Sequence, residues 1–484
     1  MKTMLLIPLL LLAGCQKFLE PTVYSETAPS NLFGSLEGVQ SVLNGAYAWV
    51  AENQGNQLAQ GMTAMVAMTD IGFGELGAIA NWLTNFQDFI LDGIGSSEYA
   101  PYWNDPYKAI RNANILLENL PDANITEGDR TMITAECRFI RAISYYKLYI
   151  RFGPTPLRTS TSQELELPRA SEEEFISFIE TELIAAIPDL PFPGEEKQWG
   201  RAQKGAAMGV LTKLYLNTKQ WQKCADEAKA VMDLGYYELF PDYFSLFMVK
   251  NERNKELLWV HPCKADLGRE AAMSFMNFAW PQSYAYDPVT GLKFCDGCRN
   301  FATMFKIRND FYNSFDPADK RTSLMLTKYV NTSGDTIICL PPDDNPRPFK
   351  YWPDADYAGP AYGNDVPDIR YADILLSRAE ALNELNGPNQ ESIDLINMVR
   401  ERAGVADLNV GDFAAKEELR SAILDERGWE FWWENKRRED LIRHGEFIKR
   451  AQERGLPAKD YMVRLPIPLD MMDANPALVQ NEGY

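Results

Sequence analysis

Cys15 is the residue with the most specific chemistry near the start of the chain. It follows Leu12-Ala13-Gly14, and a short apolar run from Met4 to Leu12 comes after the positive charge of Lys2. This order is typical of a secretory signal peptide, and the run is too short to cross a hydrocarbon core, which needs about 20 apolar residues. We therefore predict that residues 1–14 are a signal peptide and that Cys15 carries a lipid anchor. An ordinary signal peptide with a chance cysteine is the alternative.

The charge balance limits the partners. The chain carries 68 acidic and 48 basic residues, a formal net charge of −20, and no basic stripe offsets it locally. A field of this sign repels nucleic acid and anionic lipid, so we predict no nucleic-acid partner and a neutral ligand such as a sugar, or another protein. Gln16 stands where an aspartate would favour retention in the inner membrane, which favours the outer membrane of a Gram-negative cell.

Catalytic motifs are scarce. The two histidines, His261 and His444, lie in no nucleophile or metal motif, and no Walker loop is present. The run from Gly72 to Gly77 matches a dinucleotide-binding fingerprint, but no alternation of strands and helices follows, so we predict a flexible glycine-rich loop. We predict no cofactor and no metal. A carboxylate pair of a glycan hydrolase stays open, because its geometry cannot be read from sequence.

Lipidation of Cys15 would leave six cysteines. Cys137 and Cys224 lie within helical patterns and are predicted to be core residues. Cys295 and Cys298 are the only close pair, and a structural zinc site would need two further ligands. A local disulfide or two free thiols are the remaining interpretations.

Most of the chain after Asn104 has helical periodicity. Ser171 and Glu174 form a capping-box pattern, and small residues such as Ala206, Ala207 and Gly209 allow close helix packing. Two helical hairpins have the length of a tetratricopeptide repeat. The predicted helices span about 105–120, 128–152, 202–216, 221–234, 369–385, 390–403 and 415–443, with one more that Ser171 caps and Pro188 ends.

Two long segments, residues 53–101 and 236–368, lack this periodicity and are rich in Pro, Gly, Asp and aromatic residues. Segments of this length are usually functional or have small structures of their own. We predict a mainly α fold, in which a helical scaffold of about 31–50, 102–235 and 369–445 carries both segments as irregular, loop-rich insertions.

The densest charge pattern is near the C-terminus. Glu426, Glu430 and Glu434 are four residues apart and precede the basic cluster Lys436–Arg438, beside several tryptophans. Acids at this spacing share one helix face. We predict a partly buried ion-pair network that holds this helix to the fold.

Several motifs, in this order and spacing, resemble the SusD/RagB family of outer-membrane nutrient-binding lipoproteins over essentially the whole chain. The most specific are Arg370–Leu376, Arg378–Glu384 and Asp425–Arg427. Others are Phe18–Pro21, Leu43–Tyr47, Phe139–Ala142, Phe152–Leu157, Pro466–Pro468 and Gln480–Tyr484.

The resemblance implies a single domain over residues 15–484, an α-superhelix of four tetratricopeptide-like helix pairs. It implies capture of a glycan, or in some members a peptide, at the cell surface. The implied partner is a TonB-dependent (SusC-like) transporter over which the lipoprotein closes. A non-catalytic binder is therefore the leading hypothesis, and a surface glycan hydrolase is the alternative.

The family motifs are scaffold, so the ligand contacts are predicted from chemistry. Sugar rings stack on aromatic faces, and their hydroxyls need polar neighbours. Trp103, Trp221 and Trp429 lie on helical stripes and are assigned to the core. Aromatic candidates in the irregular segments are Trp82, Trp280, Tyr284, Tyr286, Trp352 and Tyr362, with polar candidates Asp70, Asn81, Gln282, Arg299 and Asp354.

Overall fold

The computed structural model describes most of the chain after Asn31. Its described residues are 32–51, 64–75, 81–91, 96–265, 273–295, 297–298, 300, 305–353, 359 and 361–484. The predicted signal peptide and Cys15 lie outside these ranges.

Helices form most of the described structure, which confirms the predicted mainly α class. Within the described residues they are α1 (Leu36–Val50), α2 (Asn81–Gln87), α3 (Ser96–Asn119), α4 (Glu127–Phe152), α5 (Glu172–Ala186), α6 (Lys204–Asn217), α7 (Trp221–Asp233), α8 (Met276–Ala279), α9 (Asn309–Asn313), α10 (Tyr371–Asn386), α11 (Gln390–Ala403), α12 (Lys416–Glu430), α13 (Arg437–Arg443), α14 (Phe447–Glu453) and α15 (Leu469–Ala474).

The longer helices pack against one another in pairs. Helix α3 packs on α1 and α4, α4 on α5, α6 on α7, and α10 on α7, α11 and α12. Local signals fix several helix starts: the Thr126 side chain caps α4, and Ser171 with Glu174 completes the predicted capping box of α5. No helix in the described ranges is long and apolar enough to cross a membrane.

Helix α6 is the most enclosed of the scaffold helices. Every residue from Gly205 to Leu216 is buried. A Cβ added at Gly209 would lie 3.3 Å from the side chains of Ile369 and Leu258. The small residues therefore allow the close approach that the sequence predicts.

Short antiparallel strands give residues 236–368 a structure of their own, to which strand β1 of the first insertion also pairs. The strands are β1 (Gly72–Gly74), β2 (Leu257–His261), β3 (Tyr284–Tyr286), β4 (Phe305–Ile307), β5 (Met325–Leu326), β6 (Lys328–Asn331), β7 (Thr336–Ile338), β8 (Arg347–Pro348) and β9 (Val366–Arg370). They pair as β1–β4, β2–β9, β3–β6–β7 and β5–β8. The β2–β9 ribbon packs on α6 and leads directly into α10.

Three local predictions need correction. The first concerns the glycine-rich run, because residues 72–74 are strand β1, paired with β4. A Cβ at Gly72 would overlap the Trp433 ring, so this glycine is required by close packing and not by flexibility.

The second correction concerns α3, which begins at Ser96 and not near Asp105, with Pro101 and Pro106 inside it. Burial of Tyr102 and Trp103 shows that tertiary packing extends the helix through residues that sequence rules treat as breakers.

The third correction concerns the long helix predicted from Ala415 to Arg443, which is broken into α12 and α13. Trp433 and Asn435, between the two helices, have positive φ angles of 58° and 60°. The rings of Trp432 and Trp433 are both fully buried, and this turn is what places two consecutive indoles in the core.

The predicted ion-pair network is confirmed, and it is more deeply buried than the sequence indicates. Arg370, the last residue of β9, makes a bidentate contact with Glu434 (2.7 and 2.8 Å), pairs with Glu430 at 2.9 Å and donates to Glu256. Burial alone would raise the pKa of Glu430, but the charges of Arg402 and Arg370 outweigh it and hold the pKa at about 2. The network joins β2, β9 and the α12–α13 turn.

A second buried chain of charges ties the helices to each other. Arg427 of α12 contacts Asp373 of α10 at 2.8 Å and Asp440 of α13 at 2.9 Å. Arg443 of α13 contacts Asp440 at 2.8 Å and Glu380 of α10 at 2.6 Å. Most of these residues belong to the motifs on which the family resemblance rests.

Gly72→Ala is expected to destabilise the protein by about 1–3 kcal/mol, because the new methyl group must displace the Trp433 ring. The measurement is urea unfolding followed by tryptophan fluorescence. Gly128→Ala is the matched control, since a Cβ there meets nothing within 4 Å in the first turn of α4, and it is expected to stabilise slightly. Equal effects of the two substitutions would contradict the packing argument.

Arg370→Met is expected to cost about 3–5 kcal/mol in the free energy of unfolding, because it leaves three buried carboxylates without their shared guanidinium. Arg370→Lys keeps the charge without the fork geometry and is expected to lose less. Arg130→Met removes a pair whose acid, Glu127, is 82% exposed, so the expected loss is only about 0–1 kcal/mol. Urea unfolding of all three variants tests the ranking, and a loss for Arg370→Met no larger than for Arg130→Met would refute it.

Candidate ligand-binding site

Four of the predicted aromatic candidates lie together, but inside the protein. Trp280 donates its indole N–H to the Tyr362 hydroxyl at 2.8 Å, and its ring lies 4.9 Å from that of Tyr284. Phe349 packs between Trp280 at 5.1 Å and Trp352 at 5.8 Å. All five rings are buried.

These four assignments are corrected: the rings form a core of the second insertion and leave no face for a sugar to stack on. The physical reason is that short strands bury little apolar surface by themselves. Aromatic side chains, which bury large areas each, therefore fill the interior of the insertion.

The remaining candidates divide by location. Tyr286 is 40% exposed, and Gln282 is also exposed, beside β3. Asn81 and Trp82 begin α2, but their side chains lie outside the described part of the chain, as do residues Arg299 and Asp354.

Asp70 is engaged in ion pairs. Its carboxylate contacts Arg437 (both distances 2.8 Å) and Arg450 (2.6 Å). Burial alone would raise its pKa, but these two guanidiniums hold the pKa of Asp70 well below its usual range. Asp70 therefore positions Arg437 and Arg450, and its oxygens are occupied by these two arginines.

The tryptophans assigned to the core are not equivalent. Trp103 is buried, whereas Trp221 and Trp429 are half-buried and pack against the core from its edge. A disulfide joins Cys295 to Cys298, which decides between the two interpretations of that pair, and Cys137 and Cys224 are buried thiols as predicted. No group of three or more His, Cys, Asp or Glu side chains in the described ranges is arranged to hold a metal ion.

A wide cleft of about 1390 Å³ lies at the open end of the β2–β9 ribbon. Three segments far apart in sequence line it: the α5–α6 loop from Gly194 to Trp199, residues Pro262–Ala265 after β2, and Gly363–Asp365 before β9. Tyr236, Val249, Glu252 and Arg253 complete the lining. We call it the Trp199 cleft.

Trp199 is held in a fixed orientation on the cleft wall. Its indole N–H donates to Asp365 Oδ2 at 2.5 Å, while the backbone N–H of Cys263 donates to Asp365 Oδ1 at 2.9 Å. Gly200, with φ of 83°, allows the loop to approach Pro262, whose ring an added Cβ would overlap. The indole ring is half-buried, so part of it faces the cleft.

Asp365 is the residue that joins the three segments. Burial raises its pKa from 3.8 to about 6, although the hydrogen bonds from Trp199 and Cys263 oppose the rise. Both carboxylate oxygens are occupied by these donors, and its own backbone N–H donates to Glu252 at 3.1 Å. The carboxyl group therefore positions Trp199.

A second aromatic ring lies on the cleft wall. Tyr236 is half-buried and packs edge-to-face on Phe192 at 6.0 Å and on Tyr237 at 5.1 Å. Exposed polar side chains, Lys197, Gln198 and Arg253, surround the two rings. Two fixed aromatic faces with a polar rim can stack on the C–H faces of a sugar and bond its hydroxyls.

Trp199 and Tyr236 are absent from the residues predicted from sequence. Trp199 lies within the predicted scaffold of 102–235, whereas Tyr236 is the first residue of the predicted insertion and lies just after a predicted helix. The available signal was the run Pro191–Gly200, in which two prolines and two glycines flank one tryptophan between helices. This run indicates a loop that carries a tryptophan. The sequence does not indicate that Asp365, more than 160 residues later, bonds that tryptophan.

Comparison with known proteins gives the same fold over nearly the whole chain. A solved structure described as a laminarin-binding SusD-like protein superposes with a TM-score of 0.79 at 23% identity, covering 93% of this chain and 99% of that one. Among sequences, SusD-like protein P25 of Formosa agariphila is 28% identical, covering 97% of each chain. The starch-binding protein SusD of Bacteroides thetaiotaomicron is 24% identical over 74% of each.

Two family patterns match separate parts of the sequence. Residues 17–216 match the family described as starch-binding associating with outer membrane, and residues 312–484 match the SusD family itself. The second match includes Arg370, Glu430 and Glu434 of the buried network. From these matches and the shared fold, the chain belongs to the SusD/RagB family.

Proposed function

We propose that this chain is a non-catalytic glycan-capture protein of the cell surface, which binds an oligosaccharide in the Trp199 cleft. The observation that carries the proposal is the Trp199 ring, fixed by Asp365 and partly open to a cleft of about 1390 Å³. Two relatives named for starch and laminarin support glycan as the ligand class. A peptide ligand is the alternative within the same role.

The proposal extends to location and partner. Cys15 would carry the lipid that anchors the chain to the outer membrane, and a TonB-dependent transporter would receive the captured ligand. The helical scaffold would face that transporter. The name of the matched family, which includes association with the outer membrane, supports this location.

A glycan hydrolase is the second candidate, and one observation favours it. A carboxyl group with a pKa of about 6, such as that of Asp365, resembles the general acid of a glycosidase. Its two oxygens already accept hydrogen bonds from Trp199 and Cys263, however, and the residue is only 6% exposed. Asp365 is therefore poorly placed to protonate a bound glycosidic oxygen.

Six residues predicted from sequence remain proposed contacts on the insertions, separate from the Trp199 cleft. They are Tyr286, Gln282, Trp82, Asn81, Arg299 and Asp354. Trp280→Ala is not a useful test of binding, because Trp280 is fully buried and its loss would disrupt the insertion core.

Trp199→Ala is expected to weaken oligosaccharide binding about tenfold or more, or about 1.4 kcal/mol, because it removes a fixed stacking face. The measurement is calorimetry of the chain without its first fifteen residues, against starch- and laminarin-type oligosaccharides and peptides, with each mixture checked for breakdown products. Trp221→Ala is the matched control, since Trp221 is also half-buried but does not line the cleft.

Two results would overturn parts of this proposal. Normal binding by Trp199→Ala, together with loss in Tyr286→Ala or Trp82→Ala, would move the site to the insertions. Release of shorter products from the oligosaccharide would make the protein an enzyme.

Asp365→Asn is expected to change how stability depends on pH. The pKa of Asp365 in the folded protein, about 6, lies above its ordinary value of 3.8, so its protonated form is favoured by folding. This contribution is fully present below the unfolded pKa and is lost as the pH rises through about 6. Relative to the variant, the wild type should therefore lose stability from about pH 4 to about pH 6, by at most about 1.4 kcal/mol per pH unit. Urea unfolding at several pH values measures it, and a difference that stays constant or rises with pH contradicts the assignment.

A further inference from the structure

A second cleft, of about 560 Å³, lies where α9, α12, α13 and α14 meet the segment before β1. It shares no lining residue with the Trp199 cleft. We call it the Arg308 cleft. Its charged lining residues are Arg308, Arg437, Lys449, Arg450 and Arg454, with Asp70, Asp310, Asp425, Glu446 and Glu453.

Most of these charges neutralise one another. Asp70 holds Arg437 and Arg450, and Glu446 holds Lys449 at 2.9 Å and Arg450 at 3.4 Å. Asp425 lies 3.9 Å from Arg450. Among the described residues, Arg308 and Arg454 have no carboxylate within 4.0 Å, and the lining residues Asp310 and Glu453 have no Lys or Arg within 4.0 Å.

Arg308 and Arg454 donate to the carbonyl groups of adjacent residues. Arg308 Nε donates to the carbonyl of Thr69 at 3.2 Å, and Arg454 Nη2 donates to the carbonyl of the adjacent residue, Met68, at 3.0 Å. Burial, with some repulsion from Arg454, lowers the pKa of Arg308 to about 10, although the charges of Asp70, Asp88 and Asp310 oppose the fall. Asp70 attracts both guanidiniums, but its carboxylate forms its hydrogen bonds with Arg437 and Arg450.

Two contacts fix the orientation of the Arg308 guanidinium. Its guanidinium lies over the Phe73 ring at 5.3 Å, and the bond to Thr69 fixes its Nε. Its two terminal nitrogens donate no hydrogen bond within the described structure, although the residue lines the cleft. A fixed guanidinium fork matches the two oxygens of a carboxylate or sulfate.

Arg438 provides the contrast. It also lacks a carboxylate partner among the described residues, but its terminal nitrogens donate to the carbonyls of Ile150 at 3.1 Å and Val463 at 2.7 Å. Arg438 lines neither cleft and serves the scaffold.

An aromatic ring completes the Arg308 cleft. Trp429 is half-buried, and its indole N–H donates to Ser314 Oγ at 3.0 Å, which fixes the ring at the cleft wall. A stacking face beside a free guanidinium favours a ring that carries an acidic group, and not an acidic peptide.

We propose that the Arg308 cleft binds the carboxylate or sulfate of an acidic sugar, with Arg308 bonding the anion and Trp429 stacking on the ring. This inference rests on the proposed capture of glycans and specifies an acidic unit within the ligand, in contrast to the neutral ligand predicted from the net charge of −20. It gives the protein two recognition surfaces, one of them selective for charge.

The test uses three disaccharides that differ in charge: an unsaturated uronic-acid disaccharide, its sulfated form and a neutral disaccharide. Each is titrated into the chain without its first fifteen residues, with tryptophan fluorescence and calorimetry as readouts. At least one acidic disaccharide is expected to bind at least tenfold more tightly than the neutral one, and added salt should weaken it.

Arg308→Gln is expected to reduce this preference at least tenfold, and Arg308→Lys is expected to reduce it less, because charge remains without the fork. Lys449→Gln changes an exposed side chain at the cleft edge and should weaken binding about two- to threefold. Arg111→Gln is the control, because it removes one exposed arginine outside the cleft. Trp199→Ala should bind the acidic disaccharide as the wild type does, which separates this test from that of the Trp199 cleft.

The inference is overturned if no acidic disaccharide binds, if the neutral one binds equally well, or if binding of the acidic one is unchanged in both Arg308 variants. Preferential binding of an acidic peptide of equal charge would also overturn it. None of these outcomes bears on capture of a neutral glycan in the Trp199 cleft.

Discussion

Arg370 fixes the position of the second insertion relative to the C-terminal helices. It is the last residue of β9 and directly precedes α10, and its guanidinium contacts Glu256 beside β2 and Glu430 and Glu434 around the α12–α13 turn. Burying these charges is costly, so their main contribution is to specificity, since any other arrangement would leave charges unpaired in the interior. The insertion and the C-terminal helices therefore have one favourable way to meet.

Both clefts depend on this arrangement. Asp365 immediately precedes β9, so the alignment of β9 against β2 determines where its carboxylate meets Trp199. The α12–α13 turn brings Arg437 to Asp70, and Asp70 in turn anchors the segment whose carbonyls hold Arg308 and Arg454. The buried ion pairs thus fix the positions of the side chains that line both clefts.

Sequence patterns predict the scaffold helices but only part of the candidate site. Helix periodicity and caps such as Ser171 give α4, α5, α7 and α11 nearly to the residue, because those signals are local. The helical pattern does not predict that α12 ends at Glu430, because burial of Trp432 and Trp433 overrides the pattern there. Four of the six aromatic candidates are buried for a related reason: composition reveals that a segment is rich in rings, but not whether they cover a surface or fill an interior. Trp280 fills the interior.

The α5–α6 loop bears Trp199 and takes no part in the Arg370 network; its long-range contacts include the bond from Trp199 to Asp365 and the pair of Arg201 with Glu136. Its sequence can therefore drift, lengthen or be exchanged between relatives while Arg370 and its partners keep the fold. Under the proposed capture of glycans, the rings that this loop presents beside Asp365 would then set the ligand preference. A loop graft from a relative with another ligand should transplant preference without redesign of the helices.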